Sequence, residues 1–275
     1  MPWALGPPDG RYMLRQPAGA SESAPGHVLV LATLGAPERR RSLAQRRRRK
    51  AEPEPEPSSV ATGRATVIDV AAPLAGAGDA PTWLARAGED ELAADLAVLN
   101  QALHAFRLVT ADPSVHAVTR RQLLVARIGY GAGEQVADGL WTDALELLSA
   151  VGRETRSKVL HPQARLAAVL NRREPALVCE ELVLRARNDL DHGRDREAAL
   201  QLLVALDAAL AELAGTASIA DLGQRLTELR AQRDPVAIAA QAALAGPLSA
   251  AQSETVAFTV GRIEAALRAR AVANA

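Results

Sequence analysis

The chain has 275 residues, which is enough for one large domain or two small ones. Its hydrophobic content of 48% is ordinary for a globular protein, but aromatic residues make up only 3%. Leu, Val and Ala must therefore supply the core, and this composition favours packed helices over a β-sandwich or β-barrel. The formal net charge is zero, which argues against binding to nucleic acid through the bulk charge of the molecule.

Residue usage also predicts the compartment. Arginine outnumbers lysine 30 to 2, a bias typical of a GC-rich and therefore bacterial genome. The single cysteine, Cys179, rules out an internal disulfide, fits a reducing compartment and is expected to be a buried structural thiol. The first residues lack the basic start and apolar core of a signal peptide, and no apolar run reaches 18 residues. We therefore expect a cytoplasmic protein that makes no membrane contact.

Three short segments near the N-terminus predict a small antiparallel β-meander. They cover residues 11–15, 27–34 and 64–70, are rich in apolar and β-branched residues, and are bounded by Gly and Pro. The second segment is apolar without interruption, which predicts that it is the central strand. With its connections, the meander is expected to form a domain over residues 1–81.

A charged block, RRRSLAQRRRRKAEPEPEP, separates the second and third predicted strands. Its like charges repel one another, and its prolines prevent both helix and sheet pairing, so residues 35–63 are predicted to be a disordered loop. Three interpretations remain open for its cations: neutralisation by the adjacent glutamates, contact with nucleic acid or an acidic partner, and membrane contact. Because no aromatic residues are interleaved, nucleic-acid contact would involve phosphates only. The contacting residues would be Arg39, Arg40, Arg41, Arg46, Arg47, Arg48, Arg49 and Lys50.

Beyond residue 82 the apolar pattern becomes helical, which predicts an α-helical domain over residues 82–275. The clearest stripe is Leu92, Leu96, Leu99, Leu103 and Phe106, with a stop at Asp112-Pro113. Further helices are predicted at residues 114–128, around 141–148, at 162–170 and in several segments after 175, with a loop at 129–139. The fold class is thus mainly α, with about eight helices in a bundle or helix-hairpin array.

One helical hairpin invites comparison with known families. Residues 174–214 read as a helix, a turn at His192-Gly193 and an Ala-rich helix with Leu203, Leu206, Leu210 and Leu213 facing inward. This hairpin resembles one unit of a tetratricopeptide array, which implies protein binding. It is also similar to the helical hairpin of the HEPN superfamily, whose members include RNases.

The HEPN resemblance names three residues. RNases of this superfamily share an Arg-x4–6-His motif, often with Asn after the Arg, and Arg187, Asn188 and His192 match that form. Arg156 and His161 have the same spacing. In such an enzyme the imidazole would take the proton of a 2′-hydroxyl group and the guanidinium would hold the phosphate. A histidine at a helix end also has a structural explanation, because a cation there interacts favourably with the helix dipole.

No other constellation indicates chemistry. The segment GYGAGEQ lacks the ending of a phosphate-binding loop, and no Cys or His pair has zinc-ligand spacing. No cofactor and no metal are therefore expected. The sequence favours a non-enzymatic module that binds an unknown protein or a second copy of itself. The alternatives are a nucleic-acid-associated factor that uses the Arg-rich loop as an electrostatic arm, and a HEPN-like RNase.

Overall fold

A computed structural model describes residues 5–15, 25–35, 61–74, 76, 78–147, 165–216 and 222–273. These residues are mainly helical, as the composition predicts. The chain divides into two compact units, residues 1–151 and 152–275. Within the first unit the first long helix packs on the sheet, and the predicted domain boundary at residues 81/82 stays a prediction.

The first unit contains the predicted meander. Strands β1 (Gly10–Arg15), β2 (Pro25–Leu34) and β3 (Thr62–Asp69) pair antiparallel in the order β1-β2-β3, so the central position of the second strand is confirmed. Leu29, Val30 and Leu31 of β2 are all buried, which explains why this strand is apolar without alternation. The predicted disordered loop and its cation block lie almost entirely in residues 36–60, outside the described residues.

The first unit also contains two helices, and the second of them packs on this sheet. They are α1 (Asp79–Leu84) and α2 (Glu89–Thr110). The predicted leucine stripe of α2 is confirmed, since Leu99 and Leu103 join Leu29 and Leu31 in one apolar cluster. The helix ends at Ala111 in the left-handed conformation, directly before the predicted stop.

The predicted helix at residues 114–128 is wrong. In its place the structure has a single 3-10 turn (Arg120–Gln122) and an otherwise irregular, non-helical path that leads into β4 (Arg127–Tyr130). The physical reason lies in α2, where the buried amide of Asn100 donates to the carbonyl of Val118 at 3.0 Å and accepts from the N–H of Val118 at 2.7 Å. This pair of bonds takes up backbone groups that a helix would use internally.

The predicted loop at 129–139 and the predicted helix around 141–148 are also wrong in part. Residues 129 and 130 belong to β4, a short helix α3 (Gly133–Ala137) follows, and β5 (Asp143–Glu146) pairs antiparallel with β4. Gly129 makes this pairing possible, since a Cβ there would lie 2.5 Å from the carbonyl oxygen of Asp143. The close backbone approach favours a hairpin over a helix at Trp141 and Leu145.

The second unit is formed by helices. They are α4 (165–170), α5 (Val178–Asp191), α6 (Asp195–Glu212), α7 (Leu222–Ala231), α8 (Arg233–Ala245) and α9 (Ala250–Ala273). Leu, Val, Ile and Ala side chains from α5 to α9 share one core, as the low aromatic content requires. Val178, the first residue of α5, is 60% exposed, whereas Cys179 and Val183 of the same helix are buried in this core.

Candidate functional site

The α5–α6 turn contains the residues that resemble the RNase motif. His192 ends α5, and Gly193 reverses the chain with a φ of 67°, a conformation that glycine adopts without strain. Arg187 and Asn188 lie in the last turns of α5, and Nδ1 of His192 lies 2.6 Å from the carbonyl oxygen of Asn188. Arg156 and His161, the second matching pair, lie outside the described residues.

The guanidinium of Arg187 is bonded within the fold. Its Nε donates to Oε1 of Glu264 at 2.9 Å and its Nη2 donates to Oε2 at 3.1 Å, which joins α5 to α9. These hydrogen bonds with Glu264 raise the pKa of Arg187. Asp191 lies 3.9 Å away on the same helix. A phosphate group would have to displace Glu264 to use this guanidinium, and the geometry is that of a structural bidentate pair.

The same turn is stabilised by a buried polar network that the sequence reading missed. The carboxylate of Asp189, which is 8% exposed, accepts from Nε of Arg194 at 2.7 Å and from the side-chain amide of Gln201. Arg194 also donates to the carbonyl of Asn188. The sequence feature that could have predicted this network is Asp189 itself, a charged residue at an inward position of α5 next to the turn.

Cys179 lies where α6 ends against the start of α5. The carboxylate of Glu212 accepts from the N–H groups of Val178 at 3.0 Å and Cys179 at 2.9 Å, so it caps the N-terminus of α5 from another helix. Burial, followed by the hydrogen bond to Glu212, raises the pKa of the Cys179 thiol to about 12. The thiol is therefore protonated at neutral pH, as expected for a structural cysteine.

A separate feature is a cleft of about 470 Å³ in the first unit. One wall is formed by β3 and the second by α2, and residues 123–127 with Trp141 complete it. Its lining is largely apolar and includes Val67, Leu92, Leu96, Leu99, Leu123 and Trp141. A concave apolar cleft with few polar groups is the usual form of a small-molecule site.

The carboxyl group of Asp95 lies in this cleft, half-buried on α2. Burial is the largest cause that raises its pKa, followed by the nearby carboxylates of Asp69 and Glu91, and together they raise it to about 6. Among the described residues, Asp95 has no hydrogen-bond or ion-pair partner. A carboxyl group in such surroundings is a candidate functional group.

Arg64 supplies the other notable polar group of the cleft. Its Nη1 donates to the carbonyl of Asp138 at 2.9 Å, and its buried Nε has no acceptor among the described residues. Gly139 makes room for this guanidinium, because a Cβ at that position would lie 2.7 Å from Nη1. The arginine is thus held beside the end of α3.

The sequence reading named neither Asp95 nor Arg64. A signal for Asp95 was present, since it lies directly before Leu96 and three residues after Leu92, beside the predicted apolar stripe. For Arg64 there was none, because the cleft depends on contacts between segments far apart in sequence. The eight cations proposed for partner contact, from Arg39 to Lys50, all lie outside the described residues.

Three further observations concern metal binding, membrane-spanning helices and similarity to known proteins. Within the described residues, no group of three or more His, Cys, Asp or Glu side chains could hold a metal ion. None of the helices described is both long and apolar enough to cross a lipid bilayer. Comparison of the chain with protein-family models, with curated proteins and with solved structures found no match.

Proposed function

We propose that this protein is a non-enzymatic interaction module that binds another protein, or a second copy of itself, through its helical unit. The observation that carries the proposal is a set of exposed apolar side chains on the paired helices α6 and α8. Leu200 is 37% exposed, Val204 57% and Leu244 63%. Exposed apolar side chains that gather on one surface are typical of protein-binding sites.

Polar contacts set the register of these two helices. Asp207 of α6 accepts from Arg233 of α8 at 2.8 Å, and Arg196 of α6 donates to the carbonyl of Ala243 at 2.7 Å. The helices therefore run antiparallel, with Leu200 and Val204 between these two contacts. They lie one turn apart on the solvent face of α6, so a partner could contact both side chains together.

The polar residues of the helical unit support a non-enzymatic interpretation. Arg187 and Asp189 are engaged in bonds that join helices or brace the turn. The proposal also takes α5–α9 as a helical bundle or helix-hairpin array, in which the α5–α6 hairpin resembles a tetratricopeptide unit. The buried, protonated Cys179 agrees with the predicted cytoplasmic location.

Site-specific cross-linking tests this proposal. A photoreactive phenylalanine replaces Val204 on the α6–α8 surface, and the same group replaces Glu254 on the exposed side of α9 as the control. We expect cross-linked protein products from position 204 only, with the purified chain if the partner is a second copy and with an extract of the native organism if it is another protein. Sedimentation velocity then shows whether the partner is a second copy.

A second experiment tests association with the variant Val204→Glu. A charge in the middle of the apolar surface should abolish the association, and Glu254→Gln should not change it. The circular dichroism spectrum checks that both variants are folded. If positions 204 and 254 give the same products, or if neither gives any, the α6–α8 surface is not a binding site and the proposal is contradicted.

A further inference from the structure

We propose that the cleft of the first unit binds a small organic amine, whose apolar body lies along α2 and β3 and whose charged nitrogen pairs with Asp95. This inference concerns the first unit and does not depend on the proposed function of the helical unit. It rests on the cleft, on its apolar walls and on the unpaired carboxyl group within it.

The volume of the cleft and its apolar walls indicate the size and polarity of the ligand. A volume of about 470 Å³ is within the range of small-molecule sites and exceeds what one or two waters would fill. Leu92 and Leu99 are nearly buried without a ligand, while Leu96 and Trp141 remain partly exposed in the cleft. An apolar ligand body would cover the exposed part of these side chains and remove it from water.

The charged residues around the cleft indicate the charge of the ligand's polar group. Asp95 is flanked by Asp69 of β3 and Glu91 of α2, so three carboxyl groups act on the same region. Of the two arginines of the lining, Arg127 pairs with Glu146 at 2.9 Å, while Arg64 donates from Nη1 to the carbonyl of Asp138 and its Nε has no acceptor among the described residues. A bound cation would supply the missing opposite charge, whereas a bound anion would be repelled.

Arg64 is too distant to oppose such a cation strongly. It lies five residues before Asp69 on β3, which corresponds to about 16 Å along a strand. Asp95 interacts with the Asp69 end of this strand. The lining of the cleft therefore contains an acidic group at Asp95 and a basic group at Arg64, together with apolar side chains.

Three related compounds test the proposal on the full chain. They are 2-phenylethylamine, the neutral 2-phenylethanol and the anionic 3-phenylpropanoate, and binding is followed by calorimetry and by tryptophan fluorescence, to which Trp141 of the cleft contributes. At pH 7.5 we expect saturable binding of one amine per chain, at least tenfold weaker binding of the alcohol, and none of the carboxylate. No saturable binding of the amine, equal binding of amine and alcohol, or a preference for the carboxylate would each overturn the proposal.

Variants then locate the site. Asp95→Asn should reduce the amine affinity about tenfold, to that of the alcohol, and leave alcohol binding unchanged. Asp90→Asn, an exposed carboxylate on the same helix, is the matched control and should leave all affinities unchanged. Equal amine affinity in the wild type and Asp95→Asn would contradict the proposed ion pair.

The pH dependence of the wild type gives a test that needs no variant. The amine remains protonated from pH 5 to pH 7.5, while Asp95, with its pKa of about 6, becomes ionised. The charged groups that face it are Asp69 and Glu91, and the lining of the cleft also contains Arg64 and Arg127. Amine affinity should therefore increase about tenfold between pH 5 and pH 7.5. An affinity that does not change with pH would exclude Asp95 as the counter-ion.

Discussion

At Asp95 a carboxyl group lies beside the leucine stripe of α2, where an apolar residue would pack without loss of hydration. The group is half-buried, lacks a cationic partner among the described residues and lies near two further carboxylates. Each of these conditions disfavours its charged form. Such a residue reduces stability at neutral pH, so its presence is better explained by a bound cation than by packing.

We therefore predict that Asp95→Asn stabilises the first unit at neutral pH. Folding raises the pKa of Asp95 from 3.8 to about 6, so the folded chain retains a proton that the unfolded chain has released over this interval. The free energy of unfolding of the wild type should consequently decrease as pH rises from about 4 to about 6. Allowing for the partial exposure of the group, the decrease is about 1–2 kcal/mol.

Urea denaturation followed by tryptophan fluorescence measures this effect. All three tryptophans precede residue 152, so the signal reports on the first unit alone. The variant should exceed the wild type in stability at pH 7.5 and equal it at pH 4. A variant less stable than the wild type at pH 7.5 would show that the carboxylate has a partner in the fold.

Asp189 represents the opposite case, a buried carboxylate whose partners are all present. We predict that Asp189→Ala destabilises the helical unit by about 3 kcal/mol or more, because Arg194 would be left as a nearly buried and unpaired cation. Urea denaturation followed by circular dichroism measures the change. Asp191→Ala is the control, since its carboxylate is exposed and lies 3.9 Å from Arg187, and it should change stability by less than about 1 kcal/mol.

At the scale of elements, the N-terminus of a helix in the second unit is capped by a side chain from a segment distant in sequence. Glu212, at the end of α6, supplies the acceptors for the first N–H groups of α5. Burial alone would raise the pKa of Glu212, but the N–H and thiol of Cys179, the N–H of Val178 and the charge of Arg270 lower it overall. The start of α5 therefore depends on the correct packing of α6.

This arrangement predicts an acid-sensitive helical unit. Because folding lowers the pKa of Glu212, its contribution to stability is complete above the ordinary value of 4.5 and is lost as pH falls below it. Glu212→Gln should reduce the free energy of unfolding by about 1 kcal/mol at pH 7 and weaken the decrease below pH 4.5. Circular dichroism in urea at pH 7 and pH 3.5 provides the measurement. Glu254→Gln on α9 should match the wild type at both pH values, and the prediction fails if Glu212→Gln does so too.

For the whole molecule, each compact unit has its own core. The apolar clusters of the first unit contain residues from 5 to 147, and the cluster of the second unit contains residues from 177 to 267. No residue of one cluster belongs to the cluster of the other unit. A core of mostly aliphatic side chains can form in this way where several helices present Leu, Val and Ala to one another.

The charged block is predicted to be dispensable for folding. The β2–β3 pairing continues to Leu34 opposite Thr62, so both strands are in register where the described residues end on either side of the block. Replacing residues 38–59 with a short Gly/Asn turn should leave the fold intact. Because a shorter loop loses less entropy when its ends are brought together, the free energy of unfolding should stay the same or increase by roughly 1–2 kcal/mol. Circular dichroism and tryptophan fluorescence check the fold. Loss of the tryptophan unfolding transition after this replacement would show that the block belongs to the packed structure.

Several parts of the fold followed from the sequence alone. The meander, its central strand, the leucine stripe of α2 and the α5–α6 turn could each be predicted. In all of these, the determining pattern lies within one segment of about ten to twenty residues. Hydrophobic periodicity and turn chemistry are local properties, so they survive into the folded structure when neighbouring segments do not oppose them.

Only the tertiary structure decided the remaining features, because each depends on groups far apart in sequence. Residues 115–119 are not helical because Asn100 bonds to Val118, and β4 pairs with β5 because Gly129 admits the backbone of Asp143. The cleft exists because β3, α2 and residues 123–127 meet around Asp95. The burial and the neighbouring charges of a single Asp cannot be predicted from its position in the sequence. Its pKa, its missing partner and its capacity to bind a cation are set by the burial and charge that other segments bring to it.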